Sequence, residues 1–229
     1  MKKTLVYSLT FLLSATSILS CKKEIRSKKG GIDMISNVYF NASKGLDEMQ
    51  TIHVAKLNYL KDSILEFVPD ENIQELNADA NLIIDTTYYN LGENPQQVVL
   101  SDLVKNKNGQ SVFTKKRGAI FSNDYIPDYG NKRILKDTIL FKKRYRRFEI
   151  NAPKAYTRFY IYVTDTILPY SLYKHVEKDF KGRLERIDSY NKETDVFVTL
   201  QIIPRKEWDE EAKDWFAFNQ YANQQSTKK

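Results

Sequence analysis

Few residues of this chain could do catalytic or metal chemistry, and their spacing does not combine them into a site. The 229 residues include two histidines, His53 and His175, and one cysteine, Cys21. Neither histidine has the His-x-x-x-His or Glu-x-x-His spacing that places two metal ligands on one helix face. The chain also lacks a glycine-rich phosphate loop and a Gly-x-Ser-x-Gly motif. A catalytic pair of carboxylates that only folding brings together is the alternative that stays open. We therefore predict a non-catalytic protein that holds no metal and no cofactor.

Cys21 ends a leader in which two lysines precede an apolar run from Leu5 to Leu19. That run is short for a membrane-spanning helix and is typical of a secretory signal. Its last residues, Ile18-Leu19-Ser20-Cys21, resemble the lipobox of bacterial lipoproteins, with Ile18 where Leu is more common. The resemblance implies that residues 1–20 are a signal peptide and that acylated Cys21 holds the protein on a lipid bilayer. A structural or reactive thiol is the alternative, although a single cysteine forms no intramolecular disulfide.

Basic residues follow the predicted acylation site within residues 21–31, namely Lys22, Lys23, Arg26, Lys28 and Lys29. This segment is either a solvated tether or a contact with anionic headgroups. In lipoproteins of Bacteroidetes-type bacteria, acidic residues soon after the cysteine favour display on the cell surface. Only Glu24 is acidic here, so we expect the periplasmic face of the outer membrane, with surface display as the alternative.

The strongest charge cluster is Lys142-Lys143-Arg144-Tyr145-Arg146-Arg147. One interpretation is the solvated arm of a hairpin, whose charges also protect an edge strand from aggregation. The other is a patch for an acidic partner, either lipopolysaccharide phosphates or a carboxylate-rich protein, formed by Lys142, Lys143, Arg144, Arg146 and Arg147. An exported chain rarely meets nucleic acid, so we do not expect that partner.

Residues 122–131 form the loop with the most candidate ligand groups. They include Asp124, Tyr125, Asp128 and Tyr129. Carboxylate oxygens could bind Ca²⁺, and the tyrosine rings could stack on a sugar. The spacing matches no calcium loop, and the same composition is typical of an ordinary turn, which we favour.

Four triplets place Ser or Thr after Asp and before an aliphatic residue or Thr: Asp62-Ser63-Ile64, Asp85-Thr86-Thr87, Asp137-Thr138-Ile139 and Asp165-Thr166-Ile167. They resemble the O-glycosylation sequon of exported proteins in Bacteroidetes-type bacteria. This resemblance implies glycans on Ser63, Thr86, Thr138 and Thr166. The alternative is that Asp-Thr is favourable chemistry where a turn leads into a strand.

Periodicity predicts an N-terminal helix over Ala42–Phe67, because apolar residues recur there at intervals of three and four: Leu46, Met49, His53, Leu57, Leu60, Ile64 and Phe67. Shorter apolar runs predict strands or hairpin arms at Leu82–Tyr89, Val98–Val104, Val112–Phe121, Ile134–Ile150, Arg158–Val163, Leu184–Tyr190 and Val196–Ile203. A turn is expected at 106–109.

Two further helices are expected after prolines, a short one from Pro169 and a last one from Pro204 with Trp208, Ala212 and Trp215 on one face. The predicted fold class is α+β: a mostly antiparallel sheet with an N-terminal, a short internal and a C-terminal helix packed on it. Residues 32–222 would form one domain, and residues 223–229 a polar tail.

These observations predict a non-catalytic envelope lipoprotein that is a binding or accessory subunit of an outer-membrane assembly. A lipoprotein that binds a glycan, ion or small ligand is one alternative, and an immunity-type inhibitor of a secreted toxin is another. The first class should expose a contiguous apolar or charged patch, whereas a ligand binder should contain a concave, aromatic-lined pocket.

Overall fold

A computed structural model describes residues 25–92, 95–105 and 109–226. The signal peptide, Cys21 and residues 106–108 of the predicted turn lie outside the described residues. In the described part, no helix is both long enough and apolar enough to cross a membrane.

The chain is mostly β, and its main sheet joins eleven strands in the order β7-β6-β5-β4-β3-β2-β13-β12-β10-β9-β8 among the residues described. Neighbours in this sheet are antiparallel, whereas β1 pairs in parallel with β11. The strands are β1 (Ile25–Arg26), β2 (Lys29–Tyr39), β3 (Met49–Leu60), β4 (Ser63–Pro69), β5 (Asn77–Ile84), β6 (Thr87–Gly92), β7 (Gln110–Ser111), β8 (Arg133–Leu140), β9 (Lys143–Ala152), β10 (Ala155–Tyr162), β11 (Thr166–Ile167), β12 (Arg183–Asn191) and β13 (Val196–Arg205).

The helices are α1 (Leu100–Lys105), α2 (Lys174–Phe180) and α3 (Glu210–Ser226). Single 3-10 turns occur at Pro95–Gln97, Val112–Thr114 and Tyr129–Asn131. The sheet thus begins inside the predicted tether, since β2 includes residues 29–31, and α3 extends four residues into the predicted tail.

The predicted N-terminal helix, and with it the α+β class, is wrong, because residues 42–67 contain β3 and most of β4. The residues spaced by three and four do not share a face, since Leu46 and Met49 at the start of the stripe are exposed. The buried apolar residues of β3 are instead Ala55, Leu57 and Tyr59, which alternate as a strand requires. β-branched residues before them favour the same structure.

Two predicted strands are also wrong: residues 98–104 contain helix α1, and residues 112–121 contain a 3-10 turn and irregular chain. Pro204 lies within β13, and α3 begins only at Glu210. The predicted hairpin of β12 and β13 is confirmed, as are the strand at β10 and the short helix, although α2 starts five residues after Pro169.

The irregular chain exists because β7 and β8, consecutive strands, occupy opposite edges of the sheet. Residues 112–132 must therefore cross one face, which we call the core face. There Val112, Ala119 and Ile126 pack with sheet residues such as Leu57 and Phe148. On the opposite face, Ala212 and Trp215 of α3 pack on the apolar side chains of β4 and β5, Leu65, Phe67, Ala80 and Leu82.

A buried ion pair holds the crossing chain against β4. The fully buried Glu66 carboxylate accepts hydrogen bonds from Lys115 Nζ at 2.8 Å, from the Ala119 N–H at 2.6 Å and from Asn81 Nδ2 at 3.0 Å. Gly118 has φ +73°, and a Cβ there would lie 2.4 Å from Glu66 Oε1. Glycine is therefore required where this chain approaches the carboxylate.

Candidate interaction surface

Strand β8 forms one edge of the sheet. Apolar side chains of this strand and of the turn that follows it are highly exposed to solvent. Ile134 and Ile139 are 62% and 73% exposed, and Phe141 in the following turn is 77% exposed. In the antiparallel register Ile134 lies opposite Phe148 and Ile139 lies opposite Arg144, so both isoleucines belong to the core face. The chain that covers this face does not extend over β8, and an uncovered apolar strip follows the sheet edge.

The turn between β8 and β9 is strained. Phe141 and Lys142 both have positive φ, 50° and 64°, as the two central residues of a type I′ turn require. That turn favours Asn-Gly, and a bulky side chain in the left-handed region is unusual. Phe141 is the single aromatic residue with positive φ in the described part of the chain. Folding alone gives no reason for an exposed phenyl ring at this position.

A cleft of about 270 Å³ lies beside this turn on the face opposite the core. Phe141 and Ile203 form apolar walls, and Tyr145 and Glu185 are buried polar groups in its lining. Glu185 accepts hydrogen bonds from the Tyr145 hydroxyl at 2.8 Å and Lys143 Nζ at 3.0 Å, and it forms an ion pair with Arg183 at 2.6 Å. Burial and the hydrogen bond to Glu185 raise the pKa of Tyr145, which keeps its hydroxyl protonated.

A second carboxylate fixes the other end of the hairpin. Glu149 is buried, and it accepts hydrogen bonds from Arg158 at 2.7 Å, from Asn151 at 2.8 Å and from Arg133 of β8 at 2.7 Å. Burial alone would raise the pKa of Glu149, but these donors stabilise its anion and lower the pKa to about 2. The ion pair of Arg133 with Glu149 thus holds β8 and β9 together at this end of the hairpin.

The predicted basic cluster lies in this hairpin, and most of its charges have partners within the protein. Lys143 pairs with Glu185, Arg144 pairs with Asp137 at 2.7 Å, and Arg146 and Arg147 donate to the carbonyls of Phe180 and Lys136. Lys142 and Lys136 are exposed. The positive charge remains at the edge, because residues 133–147 contain seven basic side chains and only Asp137 is acidic.

The predicted ligand loop packs on helix α2. The Tyr125 ring stacks on His175 with 4.5 Å between centroids, and Tyr129 meets His175 edge-on at 4.8 Å. The Tyr129 hydroxyl donates to Asp179 at 2.9 Å, and burial with this hydrogen bond raises the pKa of Tyr129. Burial, and the nearby Lys132, lower the pKa of His175. Tyr129 is therefore used in packing, whereas Tyr125 contacts His175 but stays 71% exposed.

The acidic residues of this loop do not converge with other ligands. The Asp124 N–H donates to Ser122 Oγ, and Asp128 adopts the left-handed conformation of a turn, with φ 56°. His53, predicted in a helix, lies half-buried in β3, where its N–H donates to Gln74. Among the residues described, no group of three or more His, Cys, Asp or Glu side chains is placed to hold a metal ion.

The four predicted glycosylation sites differ in accessibility. Thr86 is exposed in the turn between β5 and β6, whereas Ser63, Thr138 and Thr166 are half-buried at or near strand ends. Thr138 lies next to an irregularity in the pairing of β8 with β9. Glycosylation at these positions stays a prediction.

The sequence reasoning missed the ion pair of Glu66 and Lys115. The available signal was an acidic residue inside an otherwise apolar segment, Ile64-Leu65-Glu66-Phe67-Val68. A charge at such a position is costly unless it is paired. The pair anchors the crossing chain, as described above, and lies away from the surface.

Comparisons with known proteins leave the family open. No family model and no curated protein matches the chain at a significant level. An uncharacterized conserved protein from Thermus thermophilus is 12% identical with a TM-score of 0.39, over 86% of this chain and 90% of that one. A putative outer membrane lipoprotein-sorting protein domain from Vibrio parahaemolyticus is 12% identical with a TM-score of 0.27, over 83% of this chain and 91% of that one. At these TM-scores, neither likeness carries over to the fold or function of this chain.

Proposed function

We propose that the chain is a non-catalytic lipoprotein of the cell envelope, anchored through acylated Cys21, that binds a protein partner at the β8–β9 hairpin. The observation that carries the binding role is the free edge of β8 in the described part of the chain, with Ile134 and Ile139 exposed on its core face and Phe141 exposed in the adjoining turn. Exposed apolar side chains beside charged ones are typical of protein–protein interaction sites. The outer-membrane location rests on the leader and lipobox.

An acidic partner is favoured by the charge of the same hairpin. The whole hairpin, residues 133–152, contains seven basic side chains and two acidic ones, Asp137 and Glu149, and this excess produces a positive field at the edge. Exposed charges such as Lys136 and Lys142 steer an oppositely charged protein and accelerate association more than they increase affinity. Affinity would come from the apolar side chains, whose burial contributes about 25 cal/mol per Å².

A small-ligand binder is the second candidate, favoured by the cleft beside Phe141. Its volume of about 270 Å³ is below the roughly 300 to 1,000 Å³ of most ligand pockets. The charged groups in it already have partners, since Lys143 pairs with Glu185 and Arg186 pairs with Asp188. The cleft therefore fits one apolar side chain of a bound protein better than an independent ligand.

A mild-detergent pull-down of the natively expressed protein tests the proposal. The double variant Ile134→Ser/Ile139→Ser removes apolar contacts without touching the core and should weaken partner retention by about 2 kcal/mol, roughly thirtyfold. The matched control is Leu46→Ser/Ile73→Ser, since both side chains are also exposed but lie in the β2–β3 and β4–β5 loops, away from β8.

The comparison of these two variants decides the outcome. A stoichiometric partner that survives moderate salt, is lost with the β8 variant and is kept with the loop variant supports the proposal. Equal retention by both variants would place the interface elsewhere. Acylation is checked separately, because Cys21→Ser should release the protein from the membrane fraction whether or not a partner binds.

A further inference from the structure

We infer that the partner donates an extended acidic segment, which pairs with β8 as a twelfth strand of the sheet. This inference rests on the proposed function and adds the way in which the partner binds. An extended segment that pairs with a free strand gains affinity from main-chain hydrogen bonds and specificity from alternate side chains.

The backbone of β8 offers this pairing on its outer side. Within the described residues, β8 pairs only with β9, and its eight residues are mostly exposed. Alternate residues of an edge strand direct their N–H and C=O groups away from the sheet, where another strand can bond to them. The pairing with β9 is irregular between Leu135 and Thr138, so we expect two short regular stretches for the added strand, one on each side.

The side chains of β8 select an apolar residue at alternate positions of the added strand. Directly paired residues have Cβ atoms about 5 Å apart, so a strand beside β8 would cover Ile134 and Ile139 on the core face. Its remaining side chains would lie on the opposite face, near Leu135 and Leu140, which are half-buried. The core face would then extend by one strand, and its exposed isoleucines would be buried.

The charges of the hairpin exclude the simplest competing occupant, a second copy of this chain. Pairing β8 with β8 would bring two hairpins together, each with seven basic residues and two acidic residues in 133–152. Repulsion between like charges at sheet edges prevents such self-pairing. The same charges attract an acidic segment, whose carboxylates can approach the exposed ammonium groups of Lys136 and Lys142.

Synthetic peptides test the inference on the mature chain, residues 21–229 with Cys21→Ser, which retains every described element. The probe is a labelled eight-residue peptide that alternates valine and glutamate. The first control peptide has lysine in place of glutamate, and the second has every backbone nitrogen of the probe methylated. Binding is measured by fluorescence anisotropy, and the site by amide hydrogen exchange.

The probe should bind and slow amide exchange in β8, and the lysine peptide should bind at least tenfold more weakly. The methylated peptide should not bind, because it keeps the side chains but has lost its backbone hydrogen-bond donors on both edges. Reversing two exposed charges with Lys136→Glu/Lys142→Glu should weaken binding of the probe and strengthen binding of the lysine peptide. The matched variant Lys44→Glu/Lys192→Glu, at the opposite end of the strands, should change neither.

Each contrary result is distinct from a failure of the proposed function. A methylated peptide that binds as well as the probe would show docking by side chains alone and overturn strand addition. The proposed function would still be supported if the pull-down retained a partner. No binding of the probe, or binding without protection of β8 amides, also overturns the inference. Slow exchange in β8 that accompanies a dimer of the chain would identify a second copy as the occupant.

Discussion

Replacing Lys115 by methionine should destabilise the protein strongly, because it leaves the buried carboxylate of Glu66 without its cation. Glu66 is fully buried, and Lys115 Nζ lies 2.8 Å from its carboxylate. Removing one partner of a buried pair costs about 3 to 5 kcal/mol, a large part of the 5 to 15 kcal/mol that usually stabilises a domain. For a chain of this size we expect the melting temperature to fall by about 10 °C.

The loss should depend on pH in a defined direction. Burial raises the pKa of Glu66 above its ordinary value of 4.5 even beside Lys115, and removal of the ammonium group should raise it further. The folded state then binds this proton more tightly than the unfolded state. Stability of the variant should therefore fall as the pH rises above about 4.5 and should recover partly toward acid.

Urea denaturation at pH 5 and pH 8 measures both effects. The control is Lys154→Met, which breaks an exposed ion pair with Glu193 and should cost less than about 1 kcal/mol. Glu66→Gln/Lys115→Met removes both charges and should recover most of the stability. If Lys115→Met cost no more than Lys154→Met at pH 8, the buried pair would not hold the crossing chain and the reasoning would be refuted.

Three further predictions concern the crossing chain and the hairpin. Gly118→Ala should lower the free energy of unfolding by more than about 2 kcal/mol in urea denaturation, because φ is +73° and a Cβ would lie 2.4 Å from a carboxylate oxygen. The control is Gly130→Ala, where a Cβ would meet no atom within 4 Å, and it should change the free energy of unfolding by less than about 1 kcal/mol. Phe141→Asn/Lys142→Gly should raise the melting temperature by relaxing the turn yet reduce partner retention in the pull-down, and unchanged retention would remove Phe141 from the interface. Glu149→Gln should make stability depend less steeply on pH in acid. The Glu149 anion stabilises the fold above the pKa of about 4.5 that the residue has in the unfolded chain, and this stabilisation is lost as the pH falls toward 2. A variant whose stability falls as steeply in acid as that of the parent would contradict this assignment.

The C-terminal half of the fold could be predicted because its signals are local. In β13, Val198, Leu200 and Ile202 alternate with polar residues, and Ala212 and Trp215 of α3 recur at helical spacing. The first half was misread because Leu57, Leu60 and Ile64 also fit a helical period, although Lys61 and Asp62 between them form a turn. Periodicity alone did not separate a hairpin from a helix in this segment.

The path of residues 112–132 could not be predicted, because it is set by sheet order rather than by local sequence. Nothing in the neighbourhood of β7 or β8 reveals that these strands lie at opposite edges. The partner of Lys115 is likewise 49 residues away in sequence. The basic residues near Lys142 were recognised as a hairpin arm beside an edge strand, but the exposed isoleucines were not, because Ile134 and Ile139 resemble core residues in sequence.

The concentration of unusual features in one hairpin supports an interaction surface rather than a folding requirement. Ile134 and Ile139 contribute little to the core because they are exposed, and Phe141 adds backbone strain where Asn-Gly would relax the turn. Exposed apolar residues elsewhere, such as Leu46 and Ile73, lie in loops without a free strand edge. Aggregation at the edge is opposed by the basic residues beside it, so the chain keeps apolar groups exposed and carries the charge that discourages self-pairing. The exposed isoleucines, the strained Phe141 turn and the cluster of basic residues reduce stability without improving packing. An acidic partner strand would contact all three.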